Sequence, residues 1–210
     1  MKDALTVART LRFKEVIAKR QEFTVILENV HDPHNIGAVI RSCDAVGISE
    51  VFVLYTEESH NFIRQKIGKN TSSGARKWVK AHYFGEIEAC FDAVRSRYGK
   101  IYGTHLGENS CSLYELDLTE PIALMFGNEQ KGITEKARVQ LDGNFIIPQH
   151  GMVQSLNISV ACAVSLYEAL RQRNKNGMYN YPFDPESIVH NELFDGFVKK
   201  QFEQTNKIEK

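Results

Sequence analysis

Short apolar runs rich in β-branched residues alternate along this chain with segments whose apolar residues recur at helical spacing. The first run, residues 24–30, is followed by Ile36, Val39, Ile40 and Cys43 at the i, i+3, i+4, i+7 positions of a helix. Further strands are predicted at 51–55, 78–83, 100–105, 121–126 and 144–147, and further helices near 86–97, near 134–139 and from 155 to about 173. This alternation predicts an α/β fold with a mainly parallel sheet and helices on both faces.

The bulk properties exclude several classes of protein. A chain of 210 residues is long enough for one core with short appended segments. It contains no apolar stretch of about 18 residues, so we expect no membrane span, and its start lacks the apolar region of a signal peptide. The four cysteines show no C-x-x-C spacing. We therefore expect a cytoplasmic protein without a disulfide framework or a metal site.

Basic residues are concentrated in two places, although the formal net charge is zero. The first group is Lys2, Arg9, Arg12, Lys14, Lys19 and Arg20; the second is Arg64, Lys66, Lys69, Arg76, Lys77 and Lys80. A neutral total argues against a general nucleic-acid binder. Each group has two open interpretations, a solvated helix face or a contact with the phosphates of a partner that must be released after use.

Three motifs follow predicted strands, where parallel α/β sheets bind ligands. The first is residues 35–41. Asn35 is a good helix N-cap, which needs no function to explain it. Gly37 and Ala38 allow a ligand or another backbone to come close, and the guanidinium of Arg41 suits a phosphate. This motif is either structural or functional.

The second and third motifs follow the strands at 121–126 and 144–147. Gly127 and Gly132 bracket Glu129, whose carboxylate could accept a hydrogen bond from a hydroxyl group or orient a cation, unless this is an ordinary loop. Ser155 is predicted to cap the last core helix. Asn157 is predicted to lie inside that helix as a buried amide, satisfied locally or facing a site. The chain has no G-x-G-x-x-G and no G-x-S-x-G, which argues against a Rossmann nucleotide site and against a hydrolase.

Together the motifs resemble the SpoU branch of the SPOUT methyltransferases over residues 24–173. The matching residues are Asn35, Gly37, Ala38 and Arg41, then Gly127, Asn128, Glu129 and Gly132, then Ser155, Leu156, Asn157 and Ala161. The resemblance implies a SPOUT domain at 23–173 with a C-terminal trefoil knot, a basic helical extension at 1–22, a C-terminal extension at 174–210, and a homodimer. We expect the apolar stripe at 193–202 to dock on the body or on a second subunit, and the residues from Thr205 to be disordered.

The resemblance also implies an activity: methyl transfer from S-adenosylmethionine to a ribose 2′-hydroxyl of RNA, leaving S-adenosylhomocysteine, without a metal. The segments 28–35, 44–47 and 171–179 are most similar to family members that methylate guanosine 18 in the D-loop of tRNA. A ribosomal RNA or another tRNA position is the nearest alternative. A non-catalytic RNA-binding module and a metabolite-binding α/β domain are alternatives of other classes.

The implied roles of individual residues fall into three groups. Catalysis and the shape of the site are expected from Arg41, Asn35, Glu129, Ser155 and Asn157. Cofactor binding, largely through backbone groups, is expected from Thr104, Leu106, Leu124, Met125, Phe126, Gly127, Ile147, Met152, Ser155 and Leu156. RNA contacts are expected from Arg9, Arg12, Arg20, His34, Arg41, Arg171 and Arg173.

Overall fold

The computed structural model describes residues 5–56, 74–107 and 110–208, with side chains to residue 203. Seven strands form one sheet: β1 (Phe23–Glu28), β2 (Glu50–Leu54), β3 (Lys80–Phe84), β4 (Lys100–Thr104), β5 (Cys111–Ser112), β6 (Ile122–Phe126) and β7 (Gly143–Ile146). Their order is β3-β2-β1-β6-β4-β7-β5, and every pair is parallel. The predicted α/β fold is confirmed. Of the second basic group, Arg64, Lys66 and Lys69 lie outside the described residues.

In the described ranges six α-helices accompany the sheet: α1 (Val7–Ala18), α2 (Pro33–Ala45), α3 (Ile87–Arg95), α4 (Glu135–Arg138), α5 (Ile158–Lys175) and α6 (Ile188–Ile208). Successive side chains of a strand point to opposite faces of the sheet. In β1, Val25 and Leu27 therefore pack in one cluster with residues of α2 and α5, and Ile26 packs in another with residues of α3. This arrangement confirms helices on both faces.

The two terminal helices pack against each other. Phe13 and Ile17 of α1 form a buried cluster with Phe197 of α6, and Trp78 lies beside it, with ring centroids 4.6 Å apart for Trp78 and Phe197. The apolar stripe of α6 thus docks on the same chain. Helix α6 continues to Ile208, so the disorder predicted from Thr205 is wrong over residues 205–208. The domain boundaries at 22 and 173 stay predictions.

Because all the strands are parallel, their carboxyl ends share one edge of the sheet. Strands β1, β6, β4 and β7 are consecutive neighbours. Their last residues, Glu28, Phe126, Thr104 and Ile146, consequently lie along that edge, which we call the ligand edge. All three sequence motifs start there.

The opposite edge carries a buried ionic cluster around Glu50, the first residue of β2. Its carboxylate lies 2.7 Å from His82 Nε2 and accepts hydrogen bonds from Arg97 and from the hydroxyl of Tyr98, at 3.0 Å. Burial raises the pKa of Glu50, but the hydrogen bonds from Arg97, His82 and Tyr98 outweigh it and hold the pKa below its ordinary value of 4.5.

This lowered pKa makes Glu50 a source of acid sensitivity. A carboxylate whose pKa is depressed by folding adds stability above its unfolded pKa, here 4.5, and loses that contribution as the pH falls through its folded pKa. We expect Glu50→Gln to be less stable than the wild type near neutral pH and to lose less stability in acid. Urea unfolding from about pH 7 to about pH 3 measures both. Parallel pH profiles would contradict this assignment.

Candidate functional site

The three motifs meet through side-chain hydrogen bonds at the ligand edge. Asn35 Nδ2 donates to Glu129 Oε1 at 2.9 Å, and Asn157 Nδ2 donates to Asn35 Oδ1 at 3.2 Å. These three residues come from α2, from the loop after β6 and from the start of α5. The amide of Asn35 therefore connects all three motifs. We call the two hydrogen bonds that join Asn35, Glu129 and Asn157 the amide bridge.

Asn35 can make these contacts because it is not the cap that the sequence predicts. Helix α2 begins two residues earlier, with Pro33 at its start and Asp32 as its N-cap; Asp32 Oδ1 accepts from His34 N at 2.8 Å. Asp followed by Pro combines a strong cap with the backbone angle of a first helical residue. The predicted cap is therefore wrong, and the side chain of Asn35 projects from the first turn toward Glu129.

Asn157 differs from its prediction in the opposite way, because it caps a helix that it was predicted to lie inside. It is the exposed N-cap of α5, and its Oδ1 accepts from Ser159 N at 2.9 Å and from Ser159 Oγ at 2.6 Å. The predictions of a buried amide inside the helix and of Ser155 as its cap are both wrong. Ser155 instead lies exposed in the loop that precedes α5. As a cap, Asn157 uses its oxygen for the helix and keeps its NH2 group for Asn35.

Arg41 lies on the exposed surface of α2, two turns into that helix. Glu129 is exposed as well, and its backbone belongs to the loop that begins at Gly127. The site thus combines an exposed guanidinium group on α2, an exposed carboxylate after β6 and the two bridging amides. Such a set can hold a phosphate and a hydroxyl group at the same time.

The predicted cofactor residues lie at or just after the ends of β4, β6 and β7, three adjacent strands, and in the loop between β7 and α5. Leu124 and Met125 are fully buried and Phe126 is 1% exposed, so they can offer only backbone groups to a ligand. Thr104 Oγ1 donates to Met125 O at 3.4 Å, joining two of these strands. Gly127 is buried at the end of β6.

Apolar side chains are exposed in the segments that follow β4 and β7. Leu106 is 82% exposed and Met152 is 99% exposed, and Ile147 and Leu156 are partly exposed. An adenosyl group has flat apolar faces and a polar edge, so it needs both apolar side chains and backbone hydrogen-bonding groups. The residues at the ends of β4, β6 and β7 fit that requirement.

Besides Arg41, four of the residues predicted to contact RNA are at the surface: Arg9, Arg12, His34 and Arg171. Arg20 and Arg173 do not fit such a contact. The side chain of Arg20 is 5% exposed and binds Asp44 and the carbonyl of Ile48. Arg173 is 1% exposed. Both arginines hold parts of the fold together.

Arg173 joins the end of α5 to the loop before β6 and to the start of β1. It donates to the carbonyl oxygens of Leu118 at 2.8 Å and Glu120 at 2.6 Å, and its guanidinium lies 5.2 Å from the centre of the Phe23 ring. We expect Arg173→Ala to lower the free energy of unfolding by on the order of 3 kcal/mol, because buried carbonyls lose their donor. The matched control is Lys175→Ala, two residues later and exposed, which should cost about 0.5 kcal/mol or less. Equal losses in urea unfolding would contradict a buried structural role for Arg173.

Sequence reasoning missed the residues that support the Glu129 loop. Glu28, Asn29 and Asn128 are all at least 94% buried. The sequence does contain a sign of this support, because Glu28 and Asn29 are two consecutive polar residues at the end of an apolar strand. Polar groups buried there need hydrogen-bond partners.

Within the described residues, no group of three or more His, Cys, Asp or Glu side chains could hold a metal ion. No helix in the same ranges is long and apolar enough to cross a membrane.

The fold and the site define a parallel α/β protein that carries two amides and a carboxylate at the carboxyl edge of its sheet, with an exposed arginine on the helix after β1. Residues 22–167 match the SpoU rRNA Methylase family. The chain belongs to this family.

Individual relatives are consistent with that assignment. The tRNA (guanosine(18)-2′-O)-methyltransferase of Thermus thermophilus is 43% identical over 86% of this chain and 92% of its own length, and the enzyme of that name from Escherichia coli is 38% identical over 90% and 81%. The crystal structure of the A. aeolicus TrmH/SpoU tRNA modifying enzyme superposes with a TM-score of 0.79 at 34% identity, covering 91% of this chain and 96% of that one. The SpoU methyltransferase AviRb from Streptomyces viridochromogenes, solved with AdoMet, gives a TM-score of 0.62 at 29% identity, covering 74% and 59%.

Proposed function

We propose that this chain transfers a methyl group from S-adenosylmethionine to the 2′-hydroxyl of guanosine 18 in tRNA. The amide bridge carries the proposal, because it unites Asn35, Glu129 and Asn157 beside the strand ends that fit an adenosyl group. The relatives named for this reaction, at up to 43% identity over most of the chain, support the choice of substrate.

The reaction sets clear requirements for the protein. S-adenosylmethionine, when bound, supplies an electrophilic methyl group on a sulfonium. The protein must hold the 2′-hydroxyl in line with that methyl group, which converts an encounter into an intramolecular reaction. It must also stabilise the oxygen as the oxygen loses its proton. Thr104, Gly127, Ile147, Met152 and Leu156 are the proposed cofactor contacts.

In this proposal Arg41 acts electrostatically rather than as a base. A guanidinium group remains protonated in proteins, so it cannot readily accept the hydroxyl proton. Arg41 instead binds the adjacent phosphate and stabilises the developing oxyanion, and the proton leaves to phosphate or water.

Glu129, Ser155 and Asn157 shape the pocket around Arg41 and the ribose. The carboxylate of Glu129 fixes the orientation of the Asn35 amide, since it accepts the hydrogen bond from Nδ2. Its second oxygen, Oε2, is the one that we assign to the substrate.

Three further properties belong to the proposal. Arg9, Arg12, His34 and Arg171, exposed as described above, are the proposed contacts to the tRNA backbone. A homodimer is proposed from the resemblance, and the exposed side chains of Val160 and Tyr167 on α5, 47% and 54% exposed, are consistent with a covered face. The cytoplasm is the proposed location.

A second substrate has a specific observation in its favour. The 23S rRNA (guanosine-2′-O-)-methyltransferase RlmB of Shewanella oneidensis is 34% identical over 76% of this chain and 63% of its own length. Both substrates share the chemistry at the ligand edge, so this alternative changes only the RNA.

The test uses labelled S-adenosylmethionine with unmodified tRNA transcript and with 23S rRNA in parallel, followed by mapping of the methyl group. The proposal expects one 2′-O-methyl group on the D-loop guanosine and none on the ribosomal RNA. Label on ribosomal RNA alone would show that the proposed tRNA substrate is wrong and that the proposed methyl transfer is right. Cofactor binding without transfer to either RNA would favour a non-catalytic RNA-binding module.

A further inference from the structure

Glu129 is carried by a loop, residues 128–134, that connects β6 to α4 and is closed by its own hydrogen bonds. Asn128 and Gly132 exchange both backbone bonds, N to O at 3.0 Å and 2.9 Å, and Asn128 Oδ1 accepts from the amides of Gln130 and Lys131 at 2.8 Å and 3.0 Å. The internal bonds give the loop its shape. They do not fix where the loop lies relative to Asn35 on α2.

Both ends of the loop are fixed by β1, the neighbouring strand. At the far end, the carboxylate of Glu28 accepts two hydrogen bonds from Thr134, from the backbone N at 2.9 Å and from Oγ1 at 2.6 Å. At the near end, the carbonyl oxygen of Asn29 accepts from Asn128 Nδ2 at 2.8 Å. Two consecutive residues of β1 and its extension thus hold the loop at its first and last residues.

Asn29 is itself held in an unusual conformation. Its φ is +51°, in the left-handed region that few side chains other than Asn tolerate. Its side chain bonds Thr56 twice, from Nδ2 to Oγ1 at 2.9 Å and from Thr56 N to Oδ1 at 3.0 Å. These bonds, from the chain just after β2, turn the Asn29 carbonyl toward Asn128.

Glu28 is completely buried, with 0% exposure. Burying a carboxylate is costly unless hydrogen bonds compensate it, and here the compensating donors are the backbone N and Oγ1 of Thr134. An apolar residue would fill a strand position of this kind without that cost. What Glu28 provides, and an apolar residue cannot, is two oxygens directed at Thr134.

We propose that Glu28 is a positioning residue, which places the carboxylate of Glu129 against Asn35 by holding the loop through Thr134. The inference rests on the proposed function, since it assigns a kinetic effect to this geometry. Glu28 touches neither substrate nor cofactor; it acts through Thr134 and the loop.

Two substitutions at Glu28 distinguish the effect of its hydrogen bonds to the loop from the effect of its negative charge. Glu28→Met keeps the length of the side chain and removes both acceptors. Glu28→Gln keeps both contacts, because its amide oxygen accepts from Thr134 N and its NH2 group donates to Thr134 Oγ1, which can reverse its role. The matched control is Glu50→Met, at the buried glutamate that begins β2. Glu28 pairs with Leu54, four residues after Glu50, so Glu50 lies roughly 13 Å from the ligand edge along the strand direction.

Methyl transfer to tRNA and amide hydrogen exchange are then measured at a temperature where all variants are folded. We expect Glu28→Met to lower kcat roughly ten- to a hundredfold with KM for tRNA changed less than about threefold. We expect faster exchange in the peptide that covers 127–135, and near-normal values of both for Glu28→Gln. Glu50→Met should lower the melting temperature without changing kcat or that exchange.

Three results would overturn the proposal: an unchanged kcat in Glu28→Met, equal losses of kcat in Glu28→Met and Glu50→Met, or a Glu28→Gln variant as impaired as Glu28→Met. If the wild type transfers no methyl group, the proposed function fails separately. Hydrogen exchange then decides whether Glu28 holds the loop, and unchanged exchange in Glu28→Met would reject that role too.

Discussion

Replacing Arg41 by alanine is expected to lower the rate of methyl transfer roughly a thousandfold while leaving the dissociation constant of S-adenosylmethionine within about twofold. The expectation follows from where the charge develops. The ribose oxygen becomes negative only as its proton leaves, so a guanidinium group directed at it stabilises the transition state more than the bound substrate. Arg41 is not among the proposed cofactor contacts, which follow β4, β6 and β7.

The variant Arg41→Lys tests the geometry of the group rather than its charge. Lysine keeps the positive charge but cannot make two parallel hydrogen bonds to a phosphate. We therefore expect it to recover only a small part of the lost rate. Single-turnover transfer to tRNA, with cofactor binding measured by calorimetry, gives both quantities. Near-normal turnover of Arg41→Lys with unchanged RNA affinity would contradict a specific guanidinium role.

The second large effect is expected from Gly127→Ala. A Cβ atom at this position would lie 2.2 Å from the carbonyl carbon of Gly132 and 2.2 Å from Ile133 N, and both are backbone atoms. Neither can rotate away as a flexible side chain could. The loop that carries Glu129 must therefore move away from β6, which breaks the paired bonds between Asn128 and Gly132 and displaces Glu129 from Asn35.

We expect this substitution to destabilise the protein by on the order of 3 kcal/mol and to abolish detectable cofactor binding and methyl transfer. The matched control is Gly196→Ala in α6, where nothing lies within 4 Å of the added Cβ. That change should be neutral or stabilising by up to about 1 kcal/mol, because alanine favours a helix. Urea unfolding and cofactor titration measure both variants. A Gly127→Ala protein of wild-type stability that still binds cofactor would show that the loop tolerates the displacement.

The sheet was predictable because its evidence is local. The predicted strands at 24–30, 51–55 and 121–126 are short, largely apolar runs, and the helix after β1 shows its buried face in the spacing of Ile36, Val39 and Ile40. Strand β5, with two residues, is too short to leave such a pattern. Helix boundaries were less predictable because neighbouring residues compete for the cap, as Asp32 and Asn35 do.

The contacts of the site could not be predicted from spacing. Asn35 is separated from Glu129 by 94 residues and from Asn157 by 122, and nothing local records that they touch. The burial of Arg173 could not be predicted from its neighbours in sequence either. A basic residue near a helix end usually lies in solvent, but here its acceptors come from residues 53 and 55 positions earlier, and the side chain is buried. The resemblance to a family predicts that the three motifs form one site. The structure shows which side chains connect them.

The most direct test of the central claim uses two tRNA transcripts that differ by one oxygen atom. One carries guanosine at position 18, the position in the name of the Thermus thermophilus relative, and the other carries 2′-deoxyguanosine there. With labelled S-adenosylmethionine and equal RNA concentrations, the proposed reaction predicts transfer to the first transcript, at a single site, and no transfer to the second. Equal label in both transcripts would contradict methylation of that 2′-hydroxyl.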